Sequence, residues 1–505
     1  MRSWLPEGHL AWRMTGVVRE LDLSALYGAY REDGQGQAPY DPAMMLALVL
    51  YCLHKSIRSS RKMNAACTDD VGCRVICGGL RPSHKAIAEF RRRHREAIRG
   101  LFPQVLGILA AEGAIGGGTC ALDGSPVSGN ASRFQNLTGA QLEERIAAAE
   151  EKLTAAMGEW LDGADVRQRL DGDDDDRDVA GAGLPRRISL LATRLARLRE
   201  ARERLAGRAA APGGAQDKAD AARREAERLQ ADLAAAETGN DELMARYEAL
   251  TAAGRKWRRG KKPVGKDDNA RISRKRQAAR RAWDKARAAE DKAAVLLAQK
   301  LKVSPADPGT LLLPAKNGGW TQGWNLQART ARGQVLLSIG LHDNPADTGA
   351  LVPGIRDTQD MIGQASRRPG AAALRAQIRA WLADSGYASA ANFAGLEDIL
   401  LLVAVTCEAA QTGRRDGGRT VPAGWEKMDA RLATPAGKAL YKRRAAEVEP
   451  FFAQFFGRFG RYFAYRGHDA VDAEAKLLGT VHNIAKLFAH RDRTARRKAP
   501  APAPA

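Results

Sequence analysis

Apolar positions in the first hundred residues recur at helical spacing. PYDPAMMLALVLYCLHKSI (39–57) sets Pro42 where a first helical turn tolerates it, ahead of a long apolar stretch. DDVGCRVICGGLRPSHKAIAEFRRRHREAIRGLF (69–102) predicts a short helix, a Gly-Gly turn and a second helix with Ser83 as N-cap. Between 137 and 300 the pattern changes to long stripes. Thr138 and Gln141 form a capping box, and Leu142, Ile146, Ala149, Leu153, Ala156 and Trp160 follow in steps of three and four. Ile188, Leu191, Leu195, Leu198 and Leu205 form a second stripe. A weaker third runs through Ala219, Ala222, Ala226, Leu229 and Leu233. Breaks at DGDDDDRD (171–178), read as a solvated acidic loop, and APGGA (211–215) predict an antiparallel hairpin or small bundle. After 305 the pattern turns to α/β. GQVLLSIGLH (333–342) and DILLLVAVT (398–406) read as buried strands, ALRAQIRAW as a helix, and the chain from Tyr441 as helical again. The tail RRKAPAPAPA reads as disordered.

Charge narrows the partners. The chain has 505 residues, 80 Lys and Arg against 59 Asp and Glu, and a net charge of +21. This excess favours a polyanion. More than half of it lies in 255–287, where fifteen Lys and Arg face three Asp with Trp257 and Trp283 among them. Arg255, Lys256, Arg258, Arg259, Lys261 and Lys262 are candidate phosphate contacts, with the tryptophans available for stacking. A solvated linker is the competing reading. The helix after Ser83 offers a second basic face with Lys85, Arg91, Arg92, Arg93, His94 and Arg95, suited to a helix-turn-helix or to plain solvent exposure. No apolar run is long enough to span a membrane. Six cysteines lack paired zinc spacing and read as reduced, mostly buried thiols of a cytoplasmic protein.

Three carboxylates carry the candidate chemistry. Asp123 ends the apolar run TCAL and opens DGSP; Asp384 stands in LADSGYAS; Glu449 stands in YKRRAAEVEPFFAQFF. Acidic groups on separate elements can converge on hard cations, and two such ions about 4 Å apart support phosphoryl transfer. Each residue also has a structural reading: Asp123 as the cap of its turn, Asp384 as the cap of the next helix, Glu449 as a partner of Arg443 or Arg444.

The segments YDPAMMLALVLYCLHKSIRSSRKMNAACTDDVGCRVICGGLRPSHKAIAEFRRRH, ALDGSPVSGNAS, NGGWTQGWNLQARTARGQVLLSIGLHDNPADTGAL, LADSGYAS and YKRRAAEVEPFFAQFF occur in the order found in one family. The chain resembles the DDE transposases of bacterial insertion sequences, in the group with an N-terminal helical domain and a helical insertion in the catalytic domain. The resemblance implies an α/β RNase H-like core interrupted by an α-helical, coiled-coil-like insertion and preceded by an all-α domain. The implied domains are a DNA-binding 1–116, a catalytic 117–136 with 305–490, an inserted 137–304 and a tail 491–505. It further implies Asp123, Asp384 and Glu449 as ligands of two Mg²⁺, replaceable by Mn²⁺, with Glu447 competing for the third place. Tyr441 and Arg444 fall on signature positions facing the DNA backbone. Phe456 replaces a lysine usual in the family, with Arg458 as a substitute. Asn325, Gln327, His342 and Asn344 match polar positions without an assigned role. The expected partners are double-stranded element ends and target DNA, bound by a homodimer in the bacterial nucleoid. An inactive descendant that only binds DNA, and a coiled-coil RNA-binding scaffold, are the alternative readings.

Overall fold

The computed structural model describes residues 2–30, 38–170, 185–210, 215–258, 261–315, 318–396, 398–404 and 424–498. Arg259, Cys407, the acidic run 171–178 and the end of the tail lie outside the described residues. The chain divides into two compact units, residues 1–131 with 310–505, and residues 132–309. Among the described residues no helix is long and apolar enough to cross a membrane.

The first unit is built on a mixed six-stranded sheet. Its strands are β1 (Gly116–Ser128), β4 (Leu311–Pro314), β5 (Trp320–Arg332), β6 (Val335–His342), β7 (Ile378–Ala383) and β8 (Leu400–Val403). The short strands β2 (Leu137–Thr138) and β3 (Lys302–Val303) pair separately in the second unit. The main sheet runs β4-β5-β1-β7-β8, with β6 also on β5. Strands β1, β5 and β6 are antiparallel neighbours, while β7 and β8 run parallel to β1.

Two expectations change here. ALRAQIRAW is not a helix: a single turn, Leu374–Gln377, gives way to β7. Residues 380–383 are buried, and a parallel strand covered on both faces has no polar alternation to mark its period. Asp123 does not end its strand either; β1 continues to Ser128 against β5. Its pairing with β7 extends only over Gly118–Ala121. Beyond that stretch β7 no longer pairs with β1 and only Ser128 is bridged on that side, to Tyr462, so Pro126 costs no ladder bond there.

Helices cover the sheet. Leu351–Ala365 and the C-terminal His468–Lys498 contact β6, and Arg443–Phe459 contacts β1 and β5. The N-terminal helices share this core. Leu101–Ala111 packs on both Leu351–Ala365 and His468–Lys498. Gly107 permits that approach, since a Cβ there would lie 2.8 Å from the Ala365 carbonyl oxygen. β6 pairs only with β5 among the described strands, and Asn483 closes its free edge. The Asn483 amide accepts from Leu336 N–H (3.0 Å) and donates to Leu336 C=O (2.8 Å). Neighbouring His482 is pinned on the Gln334 carbonyl at 2.9 Å, and burial lowers its pKa to about 4. It is a packed histidine.

The second unit consists of helical hairpins. Thr138 and Gln141 exchange the two capping-box bonds at the start of Gly139–Leu170. Leu142, Ile146 and Ala149 bury against Leu195, Leu198 and Leu205 of Arg186–Ala210. The pairs Arg187–Glu159, Arg199–Glu150 and Arg202–Glu143 show these helices to be antiparallel. Ala215–Ala252 pairs in the same way with Ala270–Val295, through the Arg276–Glu237 ion pair and the bond from Lys275 to the Asp232 carbonyl. The basic segment thus becomes a loop followed by a helix. That helix buries Ile272, Ala279, Ala286 and Ala293 at seven-residue spacing, a fourth stripe that the charge around it conceals in the sequence.

Candidate functional site

β1 and β7 are adjacent and parallel, and their register pairs Ala121 with Leu382. Two residues further on, Asp123 and Asp384 come level at the same end of the sheet. Asp384 therefore leaves a strand, not a helix, and also caps the turn Ser385–Tyr387 by accepting from Gly386 N–H at 2.9 Å. Asp123 accepts from Gly124 N–H at 2.9 Å. Arg444 joins the pair, with Nη2 3.4 Å from Asp123 Oδ1 and 3.3 Å from Asp384 Oδ2. Expected at the DNA backbone, Arg444 is instead turned inward, its side chain 13% exposed. Two carboxylates held level by the strands need a cation, and the guanidinium supplies one, meeting both through the same Nη2. Tyr441 is also held inward, its hydroxyl donating to the Ala383 carbonyl at 3.2 Å, just ahead of Asp384.

A third carboxylate joins this end of the sheet, one that sequence reasoning does not single out. Asp347 Oδ1 accepts from Asn325 Nδ2 (2.9 Å) and Gln327 Nε2 (2.7 Å). Tyr387 O–H donates to Gln327 Oε1, and Asn325 also donates to the Asn344 carbonyl at 3.2 Å. The unassigned polar residues Asn325 and Gln327 thus position Asp347. The signal lay in their alternate positions on an apolar strand, because buried amides need partners. Gly124 makes room: a Cβ there would lie 2.6 Å from Asp347 Oδ1 and 2.4 Å from Gln327 Nε2. Burial pushes the Asp123 carboxyl up to about 6; Arg444 draws it back, and the Asp384 and Asp347 charges push it further up. His342 is half-buried, and burial lowers its pKa.

The two glutamates stand apart from these contacts. Glu447 is buried on β1, accepting from Thr119 Oγ1 at 2.6 Å, and burial raises its pKa. Glu449 is exposed and takes no part in the Arg444 contacts. Among the described residues no group of three or more His, Cys, Asp or Glu gathers as a metal cage.

Two stretches of the chain match family models. Residues 1–93 match the family described as Transposase domain (DUF772), and residues 406–488 match that described as Transposase DDE domain. Both matches are to transposase families, and together they support a DDE transposase of insertion-sequence type. Comparison with curated proteins and with solved structures yields no match. The second matched stretch contains Arg444 and both glutamates, while Asp123 and Asp384 lie outside both. Transposases act on DNA and generally use divalent metals, and the basic faces bear on that.

On the His84–Arg93 helix, Arg92 and Arg93 are exposed. Arg92 pairs with Glu89, and Arg93 reaches the Ala29 carbonyl and lies over Tyr30. Arg91 is half-buried over Tyr465 and donates to the Arg58 carbonyl. His94, read onto the same face, is buried against Tyr30. In the second unit Arg255, Lys256, Arg258, Lys261 and Lys262 are exposed. Trp257 is not free to stack, because it donates to the Lys261 carbonyl at 3.2 Å and meets Tyr247 edge-on. Trp283 is 40% exposed.

Proposed function

We propose that this transposase cuts DNA at the ends of an insertion sequence and joins the freed 3′-hydroxyls to target DNA, by metal-dependent phosphodiester chemistry. The observation that carries the reading is the level placement of Asp123 and Asp384 on adjacent parallel strands, facing one cation. The strand order supports it. Three antiparallel strands (β6, β5, β1) followed by two parallel ones (β7, β8) fit an RNase H-like core. In this reading 1–116 binds DNA, 117–136 with 305–490 is catalytic, and 137–304 is an inserted helical part.

The donor set fits a hard divalent ion. It consists of carboxylate oxygens, and two aspartates share one guanidinium while the Asp347 charge acts on Asp123 beside them, which leaves negative charge for a cation to neutralise. Asp123 and Asp384 would hold Mg²⁺ or Mn²⁺, with Glu449 as the third acid on the strength of the resemblance and Glu447 as its competitor. Such ions activate an attacking hydroxyl and stabilise the leaving oxygen. The chain's own part is positioning: the parallel strands level the two aspartates, Arg444 spaces them, and Tyr441, the last residue of the short helix just before the one bearing Arg444, ties down the end of β7.

The test incubates the full chain and Mg²⁺ with labelled DNA carrying the element's terminal inverted repeats. Nicks at the repeat ends and joined products are expected. Binding without nicking would instead identify a DNA-binding descendant that no longer catalyses. A second expectation concerns the exposed cations of the second unit. Changing Arg255, Lys256, Arg258, Lys261 and Lys262 to alanine should flatten the salt dependence of DNA binding by roughly 0.9 in log–log slope for each phosphate no longer neutralised. An unchanged slope in a binding titration from low to moderate salt would place this loop off the DNA. Joining two ends calls for two active sites, so the DNA-bound form is proposed to be a homodimer.

A further inference from the structure

Four cysteines meet in the N-terminal helical core as two facing pairs. Cys52 Sγ lies 3.6 Å from Cys73 Sγ, and Cys67 Sγ lies 3.9 Å from Cys77 Sγ. All four are free thiols. They form no metal cage, since no group of three ligating side chains gathers among the described residues. The two pairs differ in placement and access. Cys52 and Cys73 are fully buried within two helices, Pro42–His54 and Val71–Ile76. Cys67 lies near the end of Ser60–Asp69 and retains 5% exposure. Cys77 is the C-cap of Val71–Ile76, directly before Gly78 and Gly79, whose φ values are +59° and +85°. A residue at a helix end beside a glycine turn can make the roughly 2 Å closure that a disulfide of about 2.04 Å requires. Two sulfurs fixed inside packed helices cannot do so without disturbing the core.

We propose that Cys67 and Cys77 are a peroxide-oxidisable dithiol, with Cys67 the attacking thiol and Cys77 the resolving one, and that Cys52 and Cys73 stay reduced. The electrostatics agree with the order. The hydrogen bond with Cys77 and the nearby Arg81 charge hold the Cys67 thiol below its usual range, against the effect of burial, and that same bond together with burial pushes Cys77 up.

The Cys67 thiolate attacks one peroxide oxygen, the O–O bond breaks, and hydroxide leaves to take up the thiol's proton as water. The Cys77 sulfur then attacks the sulfur of the Cys67 sulfenic acid, the S–O bond breaks, and a second water leaves. Two thiols and one peroxide become one disulfide and two waters, with the electron pair passing from sulfur to oxygen. The link joins Ser60–Asp69 to the turn that leads into the basic His84–Arg93 helix. Asn64 already ties that turn down, donating to the Pro82 carbonyl at 2.8 Å.

The test treats the folded full-length protein with hydrogen peroxide, quenches it in acid, alkylates the remaining thiols and maps linkages by tandem mass spectrometry. A Cys67–Cys77 link is expected to form at least about tenfold faster than any Cys52–Cys73 link. In Cys77→Ser, dimedone should label Cys67 as the sulfenic acid, and Arg81→Ala should slow the reaction several-fold. The proposal is overturned if the link appears only after denaturation, if Cys52–Cys73 closes first, or if dimedone misses Cys67. The wild-type mapping decides the matter even where a variant fails to fold.

Discussion

Asp123→Asn and Asp384→Asn are each expected to stop cutting of element-end DNA while the protein stays folded. Losing a metal-binding carboxylate removes several kcal/mol of transition-state stabilisation, which at 1.36 kcal/mol per decade is a loss of about 10³-fold or more. Asparagine keeps the shape and removes the charge, so the two β1 and β7 ends should hold their register. The Asp123 variant carries a second, independent signature. The folded carboxyl titrates at about 6, above its ordinary 3.8, with burial the leading cause and the Asp384 and Asp347 charges adding to it. The folded state therefore holds this proton more tightly than the unfolded one. Its stabilising contribution is complete below about pH 4 and is lost as pH rises through 6. A shift of about two units corresponds to on the order of 3 kcal/mol. Asp123→Asn should thus be more stable than wild type at pH 8 in chelator and show a shallower loss between pH 4 and 6. Calorimetric unfolding of both proteins across that range measures this. Parallel stability curves would remove the buried-charge account of Asp123, and undiminished cutting by either variant would remove the proposed metal site.

Legibility in the sequence followed the strength of local signals. The capping box at Thr138 and Gln141, the N-cap at Ser83 and the leucine stripes of 142–205 have short, specific patterns, and the structure uses them as such. The second carboxylate is visible in the sequence, but the element that carries it is disguised. Arg375 and Arg379 stand four apart, which imitates one face of a helix, whereas Arg379 lies on a strand whose other residues are buried or half-buried. The alanine stripe from Ile272 to Ala293 is hidden because small residues carry little hydrophobic contrast amid fifteen cations. Asp347 is hidden for a different reason. It is distant in sequence from Asp123 and Asp384, and only the pairing of β5 with β1 and β6 brings Asn325 and Gln327 to hold it beside them. The inward turn of Arg444 and Tyr441 is equally a product of tertiary register, because a signature that spaces residues along a helix does not say which face the sheet will cover.

Arg444→Ala should destabilise the metal-free protein and make its stability depend on divalent cations. In the native arrangement one guanidinium serves both aspartates, with 13% of its side chain exposed against 24% for Asp123 and 37% for Asp384. Removing one partner of a fully buried ion pair costs about 3–5 kcal/mol. Solvent screening at the more open Asp384 reduces this, so a loss of roughly 2 kcal/mol at pH 8 in chelator is expected. Millimolar Mg²⁺ or Mn²⁺ should then restore most of the loss, because the ion takes over the charge neutralisation that the guanidinium performs. Wild type, already partly neutralised by Arg444, should gain less from the same addition. Arg444→Lys should fall between them, since it keeps the positive charge but replaces the planar, weakly hydrated guanidinium with a shorter, strongly hydrated ammonium. Unfolding titrations of the three proteins with and without the ion give the comparison. A destabilisation that Mg²⁺ and Mn²⁺ leave untouched would mean that Arg444 acts by packing alone, and that no cation site lies between Asp123 and Asp384.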